Sequence, residues 1–401
     1  MKDQARVVVI GGGVVGCSIL FHLAKMGWKD VVLLERDELT SGSSWHAAGS
    51  FHTLSSDPNV SKLQDYTISL YKEIEETSGH SISMHKTGGF YLASNQSWHD
   101  YLKRERSKAR SIGLDQEFVS IEEVIEKHPL VDPKHYVAAL WDPTDGDLDP
   151  SGVVYAYAKS ARVHGAEFFT HTPVIETNQR PDGSWDVVTK KGNIHAEYIV
   201  NAGGLWAREV GRMANVHLPV VPMEHHYLIT EEIEQIANLP EGRRLPHCID
   251  FEANIYLRQE NTGMLLGTYE PRSTPWSLDG TPQNFGHDLL DPKLDRIADR
   301  LELAFERIPA LGTAGIKDTI NGPFVFSPDG NPMIGPVPGV KNYWVAVGVM
   351  AGFCQAGGVG RSLSEWMIEG EPSVDVWAMD IARFGSFATP QWGVIKSSEN
   401  Y

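Results

Sequence analysis

The sequence predicts an α/β protein with two interleaved lobes, a nucleotide-binding lobe and a lobe built on an antiparallel sheet. Within residues 6–36, a strand, a glycine turn, a helix and a second strand follow one another. Residues 217–325 show the alternating apolar and polar pattern of half-buried strands. Glycine-rich features typical of a nucleotide-binding lobe return after residue 326. We therefore expect both ends of the chain in one lobe.

The first elements have the form of a dinucleotide-binding unit. An apolar strand at 7–10 runs into Gly11-Gly12-Gly13-Val14-Val15-Gly16, and a helix is expected over 14–25. Glycines at 11, 13 and 16 allow a tight turn, close approach of backbone to a pyrophosphate, and close packing of helix on strand. Glu35 ends the second strand, where it is placed to accept hydrogen bonds from ribose hydroxyls. The alternative is an empty unit whose glycines serve only packing.

The remaining elements divide between the two lobes. Residues 60–127 have an amphipathic helical pattern, and a helix at 294–307 interrupts the strands of 217–325. The aspartates between 142 and 149 lack the glutamate of a calcium loop and are expected to form a turn and a helix cap. The predicted boundaries are 1–60, 140–216 and 326–385 for the nucleotide-binding lobe, 61–139 and 217–325 for the substrate lobe, and 386–401 for a C-terminal tail.

Composition argues against several classes of function. The chain has 35 Lys and Arg residues against 52 Asp and Glu residues, a net charge of −17, which disfavours nucleic acid and anionic lipid as partners. Cys17, Cys248 and Cys354 lack the spacing of a metal site or a disulfide framework, which fits a reducing compartment. The first strand begins too early to leave room for a signal peptide, and the apolar stretches are too short to span a membrane. A cytoplasmic protein without a metal site is expected.

Three features favour FAD over NAD as the nucleotide. Small residues surround a single histidine at 41–49, directly after the acidic strand end, and a strand runs into glycine at 200–204. Glycines at 357–360 resemble a helix start whose free amides would stabilise negative charge on the reduced ring. The residues predicted to bind the cofactor are Gly11, Gly13, Val14, Val15, Gly16, Glu35, Arg36, Gly42, Ser43, Ser44, His46, Ala47, Ala48, Gly49, Val174, Ala202, Gly203, Trp206, Gly358, Val359 and Gly360.

These residues resemble those of a known family. The chain is similar, nearly end to end, to the FAD-dependent dimethylglycine dehydrogenase and sarcosine dehydrogenase group of the glycine-oxidase/D-amino-acid-oxidase superfamily. The resemblance is carried by Trp45-His46-Ala47-Ala48-Gly49 and by the segments 41–44, 145–150, 200–203, 206–211, 256–260 and 321–323. It implies an FAD-binding Rossmann-type lobe of the glutathione-reductase-like kind. It also implies oxidative N-demethylation of a methylated glycine, dimethylglycine first and sarcosine second.

The resemblance also implies how the flavin is held. In that group, the histidine of the Trp-His-Ala-Ala-Gly motif bonds the 8α-methyl carbon of the flavin, which implies a covalent bond at His46. The alternative is that His46 only hydrogen-bonds the cofactor or a loop carbonyl. Monomeric sarcosine oxidases use instead a cysteine before a Pro-Asp pair, and the similar stretch here, 322–329, contains no cysteine. Cys354 lies in the later glycine segment and is expected to be a packed thiol.

Oxidation of an N-methyl amine requires a neutral nitrogen, because hydride leaves the methyl carbon as the lone pair forms an iminium. The pKa of such an amine is about 10, like that of lysine, so a His and a Tyr facing the flavin would serve. The resemblance places them at His225 and Tyr256, whereas His226 is expected on the opposite strand face. Arg258 shares strand parity with Tyr256 and is the candidate for the substrate carboxylate, with Arg272 a weaker one. The alternatives are a structural histidine and an ordinary sheet tyrosine.

The resemblance bears on electron acceptor and partners as well. Monomeric sarcosine oxidases carry an oxygen-activating Lys in a strand similar to 264–269, where this chain has Leu. That difference favours a dehydrogenase that passes electrons to a carrier such as an electron-transfer flavoprotein. The tail resembles the run that leads into a folate-binding region in two-part relatives, so tetrahydrofolate or release of formaldehyde would take the methyl carbon. An oxygen-using amine oxidase on another N-methylated substrate and a non-catalytic regulatory flavoprotein stay open, as does the oligomeric state.

Overall fold

Helices and strands alternate along the chain as expected for two interleaved lobes. The computed structural model describes residues 2–271 and 273–401. The helices are α1 (Val14–Lys25), α2 (Pro58–Ser78), α3 (Gln96–Ser111), α4 (Ile121–Lys127), α5 (Pro150–Val163), α6 (Ala207–Met213), α7 (Glu234–Ala237), α8 (Ala298–Arg307), α9 (Gly352–Glu369) and α10 (Pro390–Asn400). The strands are β1 (Gln4–Ile10), β2 (Val31–Leu34), β3 (Ser50–Phe51), β4 (Gly89–Ala93), β5 (Glu117–Val119), β6 (Ala138–Asp142), β7 (Gly146–Asp147), β8 (Glu167–Phe169), β9 (Val174–Gln179), β10 (Trp185–Thr189), β11 (Gly192–Asn201), β12 (Val221–Met223), β13 (His226–Thr230), β14 (His247–Asp250), β15 (Ile255–Glu260), β16 (Gly263–Thr268), β17 (Ile316–Asn321), β18 (Phe324–Phe326), β19 (Met333–Pro336) and β20 (Tyr343–Val347).

The first sheet carries the predicted nucleotide-binding unit. Its strands lie in the order β19-β20-β11-β1-β2-β8, with β10 beside β11 and β9 beside β10. The strands from β20 to β8 run parallel to their neighbours on this path. Val7, Val8 and Val9 of β1 are fully buried, as expected for a parallel strand with both faces covered. The predicted strand, turn, helix and strand of residues 6–36 are therefore confirmed.

The second sheet forms the predicted substrate side. Its strands lie in the order β17-β13-β16-β15-β14-β4-β6-β5. The described pairings are antiparallel except that of β14 with β4, which is parallel. Val124 of α4 and Leu301 of α8 pack into the apolar core beneath this sheet. The alternating pattern of 217–325 thus corresponds to a real sheet that also recruits strands from before residue 143.

Two predicted lobe boundaries do not coincide with the packing of the helices and strands. Residues 61–139 were expected in the substrate lobe, but Leu63 and Ile74 of α2 share one core with Phe21 of α1 and Val359 of α9. The boundary at 140 falls inside β6, which belongs to the second sheet. Amphipathic periodicity shows that a helix has an apolar face, but it does not show which lobe covers that face.

The predicted tail is packed against the rest of the chain. Thr389 caps α10, with its side chain accepting the amide of Trp392. Val394 and Tyr401 pack against a small apolar cluster that includes Val221 and Phe326. The helix and last residue of the predicted tail therefore pack on strands β12 and β18.

No helix in residues 2–271 or 273–401 is long and apolar enough to cross a membrane.

Candidate functional site

The glycine turn lies at one end of a large cavity. β1 ends at Ile10 and α1 begins at Val14, so three glycines cross from strand to helix. A Cβ added at Gly16 would lie 1.9 Å from the carbonyl oxygen of Gly11, so only glycine lets the helix approach the turn this closely. The amides at the start of α1 are well placed for an anion such as a pyrophosphate.

Glu35 braces this turn through both carboxylate oxygens. Oε2 accepts the Gly12 amide at 2.6 Å, and Oε1 accepts the Asp37 amide at 2.8 Å. Burial raises the pKa of the carboxyl, and these two amides oppose the rise. Glu35 also lines the cavity. Because each oxygen retains a second lone pair, a hydrogen bond from a ribose hydroxyl stays a prediction.

The cavity has a volume of about 680 Å³ and joins the glycine turn to the second sheet. The predicted site residues that line it are Gly11, Gly13, Val14, Val15, Glu35, Gly42, Ser43, Ser44, His46, Ala47, Ala48, Gly49, Ala202, Gly203, Trp206, His225 and Tyr256. The predicted site residues outside its lining are Gly16, Arg36, Val174, Arg258, Gly358, Val359 and Gly360.

His46 is held against the cavity by its neighbours. The hydroxyl of Tyr227 donates to the His46 carbonyl at 3.0 Å, and Ser43 donates to the Pro323 carbonyl at 2.8 Å. Burial lowers the pKa of the His46 imidazole to about 4, so the ring is neutral at neutral pH. Its Nε2 is buried and finds no hydrogen-bond partner within the described residues. A neutral imidazole with an unused nitrogen, beside a cavity that begins at a dinucleotide turn, fits a flavin nucleotide.

The predicted helix start at 357–360 is wrong. α9 begins at Gly352, so these residues lie more than one turn inside it. A Cβ added at Gly358 would lie 2.5 Å from the backbone of Leu63, so the glycine permits close packing of α9 on α2. The residues of α9 that line the cavity are Gly352, Phe353, Cys354 and Gln355. Glycine spacing alone does not distinguish a ligand-binding helix start from a tight helix crossing.

Arg36 and Val174 lie behind the cavity wall. The Arg36 guanidinium stacks over the Trp206 ring at 3.7 Å and donates to the carbonyls of Gln283 and Phe285. Val174 begins β9 and packs against the core on one face of the first sheet. The structure therefore does not support direct cofactor contact by these two side chains, because other partners occupy them. Trp206, which Arg36 supports, does line the cavity.

Arg258 is likewise occupied by protein groups. Its guanidinium donates to the Ala48 carbonyl at 2.6 Å and to Glu260 at 2.5 Å, and the residue is 8% exposed. The predicted role as a carboxylate ligand is not supported, since these partners hold the side chain behind the His46 segment. Arg272 lies outside the described residues.

Four aromatic side chains, here called the aromatic box, surround His225 at the far end of the cavity. Tyr256 is stacked parallel to the imidazole with ring centroids 6.0 Å apart, and Tyr269, Phe324 and Tyr401 lie at 4.8, 5.0 and 6.0 Å. The imidazole Nε2 lies 2.9 Å from the Tyr256 hydroxyl. Burial lowers the pKa of His225 to about 3, and the charges of the nearby histidines act in the same direction. His225 is therefore neutral at neutral pH.

His226 points away from this box. Its Nε2 accepts the Lys293 amide at 3.2 Å, and it does not line the cavity. The opposite orientation of adjacent residues along an extended segment accounts for the difference. The structure thus brings His225 and Tyr256 together, as expected, and separates His226 from them.

His52, a further histidine on the cavity wall, was not predicted. His52 and Cys354 both line the cavity, although 302 positions separate them in the chain. Burial alone would lower the pKa of His52, but the charge of the Cys354 sulfur and its hydrogen bond raise that pKa to about 9. Gln64 donates to the His52 carbonyl at 3.1 Å. No local sequence pattern links such distant residues, so the pair had no signal in the sequence.

The aspartates between 142 and 149 serve more than a turn. Asp149 caps α5 as expected, with its side chain accepting the Ser151 amide. Asp145, however, accepts the Tyr91 hydroxyl at 2.8 Å, and burial raises the pKa of its carboxyl. Asp147 accepts a hydrogen bond from His85 at 2.9 Å. The described residues contain no cluster of metal-ligating side chains.

Comparison with known proteins agrees with this geometry. Residues 6–366 match the family model described as FAD dependent oxidoreductase. The mitochondrial dimethylglycine dehydrogenase of Mus musculus is 42% identical over 100% of this chain and 46% of its own length. The mitochondrial sarcosine dehydrogenase of Homo sapiens is 36% identical over 100% of this chain and 44% of its own length. The chain thus spans about half the length of these curated relatives.

A solved structure shares the fold across both lobes. The L-proline dehydrogenase from P. horikoshii superimposes with a TM-score of 0.83 at 28% identity, over 96% of this chain and 98% of its own. The predicted fold class is therefore confirmed. The chain belongs to the FAD dependent oxidoreductase family.

Proposed function

We propose that this chain catalyses oxidative N-demethylation of a methylated glycine, with dimethylglycine the first substrate and sarcosine the second. The observation that carries the proposal is a neutral His225, hydrogen-bonded to Tyr256, at the far end of the cavity that begins at the dinucleotide turn. The similarity to dimethylglycine and sarcosine dehydrogenases supports the choice of substrates.

The residues of the box would prepare the substrate nitrogen. An alkylammonium with a pKa of about 10 is mostly protonated at neutral pH, and its lone pair is needed before hydride can leave the methyl carbon. The Tyr256 oxygen would accept the ammonium proton, and His225 would accept the tyrosine hydrogen, because burial keeps the imidazole neutral. FAD, when bound, supplies the hydride acceptor at its N5. The iminium product would then yield formaldehyde or a folate-bound one-carbon unit.

The residues at the nucleotide end of the cavity would hold the cofactor. The amides of Gly13 and Val15 at the start of α1 suit the pyrophosphate, because those of Gly12 and Val14 already donate to Glu35 and Ser44. Glu35 suits the adenosine ribose. We propose a covalent tether at His46, supported by its unused and buried Nε2. The tether and any role of tetrahydrofolate are parts of this proposal.

We propose a dehydrogenase rather than an oxidase. Strand β16 is similar to the strand that carries the oxygen-activating lysine of monomeric sarcosine oxidases, but here it has Leu265 and Leu266, both buried. A lysine there would favour reaction with oxygen. An electron-transfer flavoprotein is the proposed acceptor, and a folate-binding domain or subunit is a proposed partner. We retain the cytoplasm as the proposed compartment on the basis of the cysteine content, although two relatives carry mitochondrial names.

An anaerobic reduction experiment tests the function. The yellow protein is mixed separately with dimethylglycine, sarcosine, glycine, proline and proline betaine, and bleaching of the visible flavin band is followed. Rapid bleaching by dimethylglycine, slower bleaching by sarcosine and none by glycine are expected. Failure of all five compounds to bleach the flavin would contradict the proposal.

Two alternatives predict other outcomes. An oxygen-using oxidase would form peroxide in air at the same rate as the flavin is reduced. A non-catalytic regulatory flavoprotein would keep its flavin oxidised with every amine, whatever residues stand at 225 and 256.

A further inference from the structure

Tyr401 forms the side of the aromatic box opposite Tyr256. Its hydroxyl lies 2.7 Å from Nδ1 of His225, whereas the Tyr256 hydroxyl lies 2.9 Å from Nε2. Both ring nitrogens of the partly buried His225 imidazole therefore face phenol oxygens. Tyr401 also packs against Phe326 with ring centroids 5.2 Å apart, which fixes the position of its ring.

Tyr401 lies within reach of a buried carboxylate. Its hydroxyl is 3.4 Å from Oε2 of Glu270, a residue that is 3% exposed. Arg296 holds the other oxygen of Glu270 at 2.6 Å. Burial raises the pKa of the Glu270 carboxyl, although Arg296 opposes the rise. The side chains of Tyr256, His225, Tyr401 and Glu270 thus form a continuous row.

The number of hydrogens in this row decides which group donates and which accepts in each hydrogen bond. A neutral imidazole carries one N–H and one acceptor nitrogen, and a phenol carries one hydrogen. An ionised Glu270 can only accept, so Tyr401 donates to it, and the Tyr401 oxygen then accepts from Nδ1–H of His225. Nε2 is left as the acceptor and receives the hydrogen of Tyr256. The lone pairs of the Tyr256 oxygen remain available to a ligand in the cavity.

We propose that Tyr401 is a positioning residue that couples His225 to Glu270 and thereby makes Nε2 the nitrogen that accepts a proton from Tyr256. The inference rests on the proposed function, because it assigns the route of the substrate amine proton. The Tyr256 oxygen takes that proton while its own hydrogen moves to Nε2. The Nδ1 hydrogen moves to Tyr401, and the Tyr401 hydrogen moves to Glu270. One proton is transferred in total, without a change of oxidation state.

The first test measures which nitrogen of the His225 imidazole carries the hydrogen. Holoprotein labelled with ¹⁵N-histidine is examined by NMR, and the His225 signals are identified by their absence in His225→Gln. The wild type is expected to carry hydrogen on Nδ1, and Tyr401→Phe is expected to lose this preference. Tyr269→Phe is the matched control, because its hydroxyl makes no hydrogen bond among the described residues while its ring also contacts His225. An unchanged tautomer in Tyr401→Phe would overturn the proposal.

The second test separates positioning from proton acceptance. Glu270→Gln retains a hydrogen-bond acceptor but cannot take up the proton, so the Nδ1–H tautomer should persist. In both Glu270→Gln and Tyr401→Phe, the rate constant of flavin reduction should fall about tenfold at neutral pH. When this rate constant is plotted against pH, the rising limb of the profile should move towards the pKa of the free amine, about 10. Wild-type pH profiles in both variants would overturn the proposal.

The two tests distinguish this inference from the proposed function. If no N-methyl amine reduces the wild-type flavin, the proposed function fails, but the tautomer measurement still decides the role of Tyr401. If Tyr401→Phe does not fold, Glu270→Gln still decides the pH dependence.

Discussion

The two ends of the cavity are built from different parts of the chain. At the nucleotide end, the wall is largely backbone, supplied by the glycine turn and by residues 41–49 and 202–204. At the other end, the wall consists of rings, namely His225 and the aromatic box. Where backbone lines the cavity, an added side-chain atom has no room and displaces the backbone. Where aromatic rings line it, loss of a hydroxyl keeps the shape of the cavity but removes a hydrogen bond. Substitutions at the two ends should therefore differ in what they damage.

The largest effect is expected from adding one carbon at the backbone end. Gly16→Ala would place Cβ 1.9 Å from the Gly11 carbonyl oxygen, so the turn must move. We expect a loss of about 3 kcal/mol of stability and little bound flavin. Gly385→Ala is the control, since its Cβ would meet Phe387 at an ordinary 3.6 Å. Flavin content and melting temperature of the two variants decide the point, and a yellow Gly16→Ala protein of normal stability would refute it.

His46 lies between the two kinds of wall and should show a third behaviour. His46→Ala removes the proposed covalent bond to the flavin but adds no atom to the nucleotide end of the cavity. We expect folded protein whose flavin is released by acid precipitation, whereas the wild type should remain yellow in the precipitate. The absorbance of the redissolved pellet and of the supernatant measures how much flavin stays bound and how much is released. Flavin that stays with the precipitated His46→Ala protein would exclude this residue as the attachment point.

At the ring end, loss of a single oxygen should slow the chemistry while leaving the fold intact. Tyr256→Phe keeps the ring but removes the hydroxyl that lies 2.9 Å from His225. We expect flavin reduction to slow about 100-fold, with a melting temperature close to that of the wild type. Tyr343→Phe serves as the control, because Tyr343 is a buried strand tyrosine outside the cavity lining. Equal rates in the two variants would make Tyr256 an ordinary sheet aromatic.

The smallest effect concerns acid stability, to which both ends contribute. Burial lowers the pKa of His22 and His225 to about 3, and that of His46 and His128 to about 4. The unfolded chain binds these protons at higher pH than the folded protein does, so stability falls as the pH drops from about 6.5 to about 4. We expect the melting temperature to fall across this range, and His128→Phe to reduce the slope. A melting temperature that is constant over that range would contradict these shifts.

The nucleotide end could be predicted because its signals are local. The strand, glycine turn, helix and acidic residue all lie within residues 4–35, so spacing along the chain fixes their spacing in space. Small residues at 41–49 likewise lie next to that unit. The error at 357–360 arose from the same reasoning, because glycines that permit a helix crossing have the same spacing as glycines at a ligand.

The ring end could be predicted only in part. The resemblance pointed to His225 and Tyr256, and strand parity predicted Arg258 on the face of Tyr256. Parity could not show that Glu260 and the Ala48 carbonyl would capture the guanidinium. The pairing of His52 with Cys354 and that of His225 with Tyr401 join residues far apart in the chain. Only the tertiary fold brings such residues together.

The position of Tyr401 also has a consequence for biosynthesis. Every segment that forms the nucleotide end precedes residue 356, but the imidazole of His225 gains its second phenol partner only with residue 401. On the ribosome, the residues that line the dinucleotide end are therefore synthesised before the phenol that completes the surroundings of the imidazole.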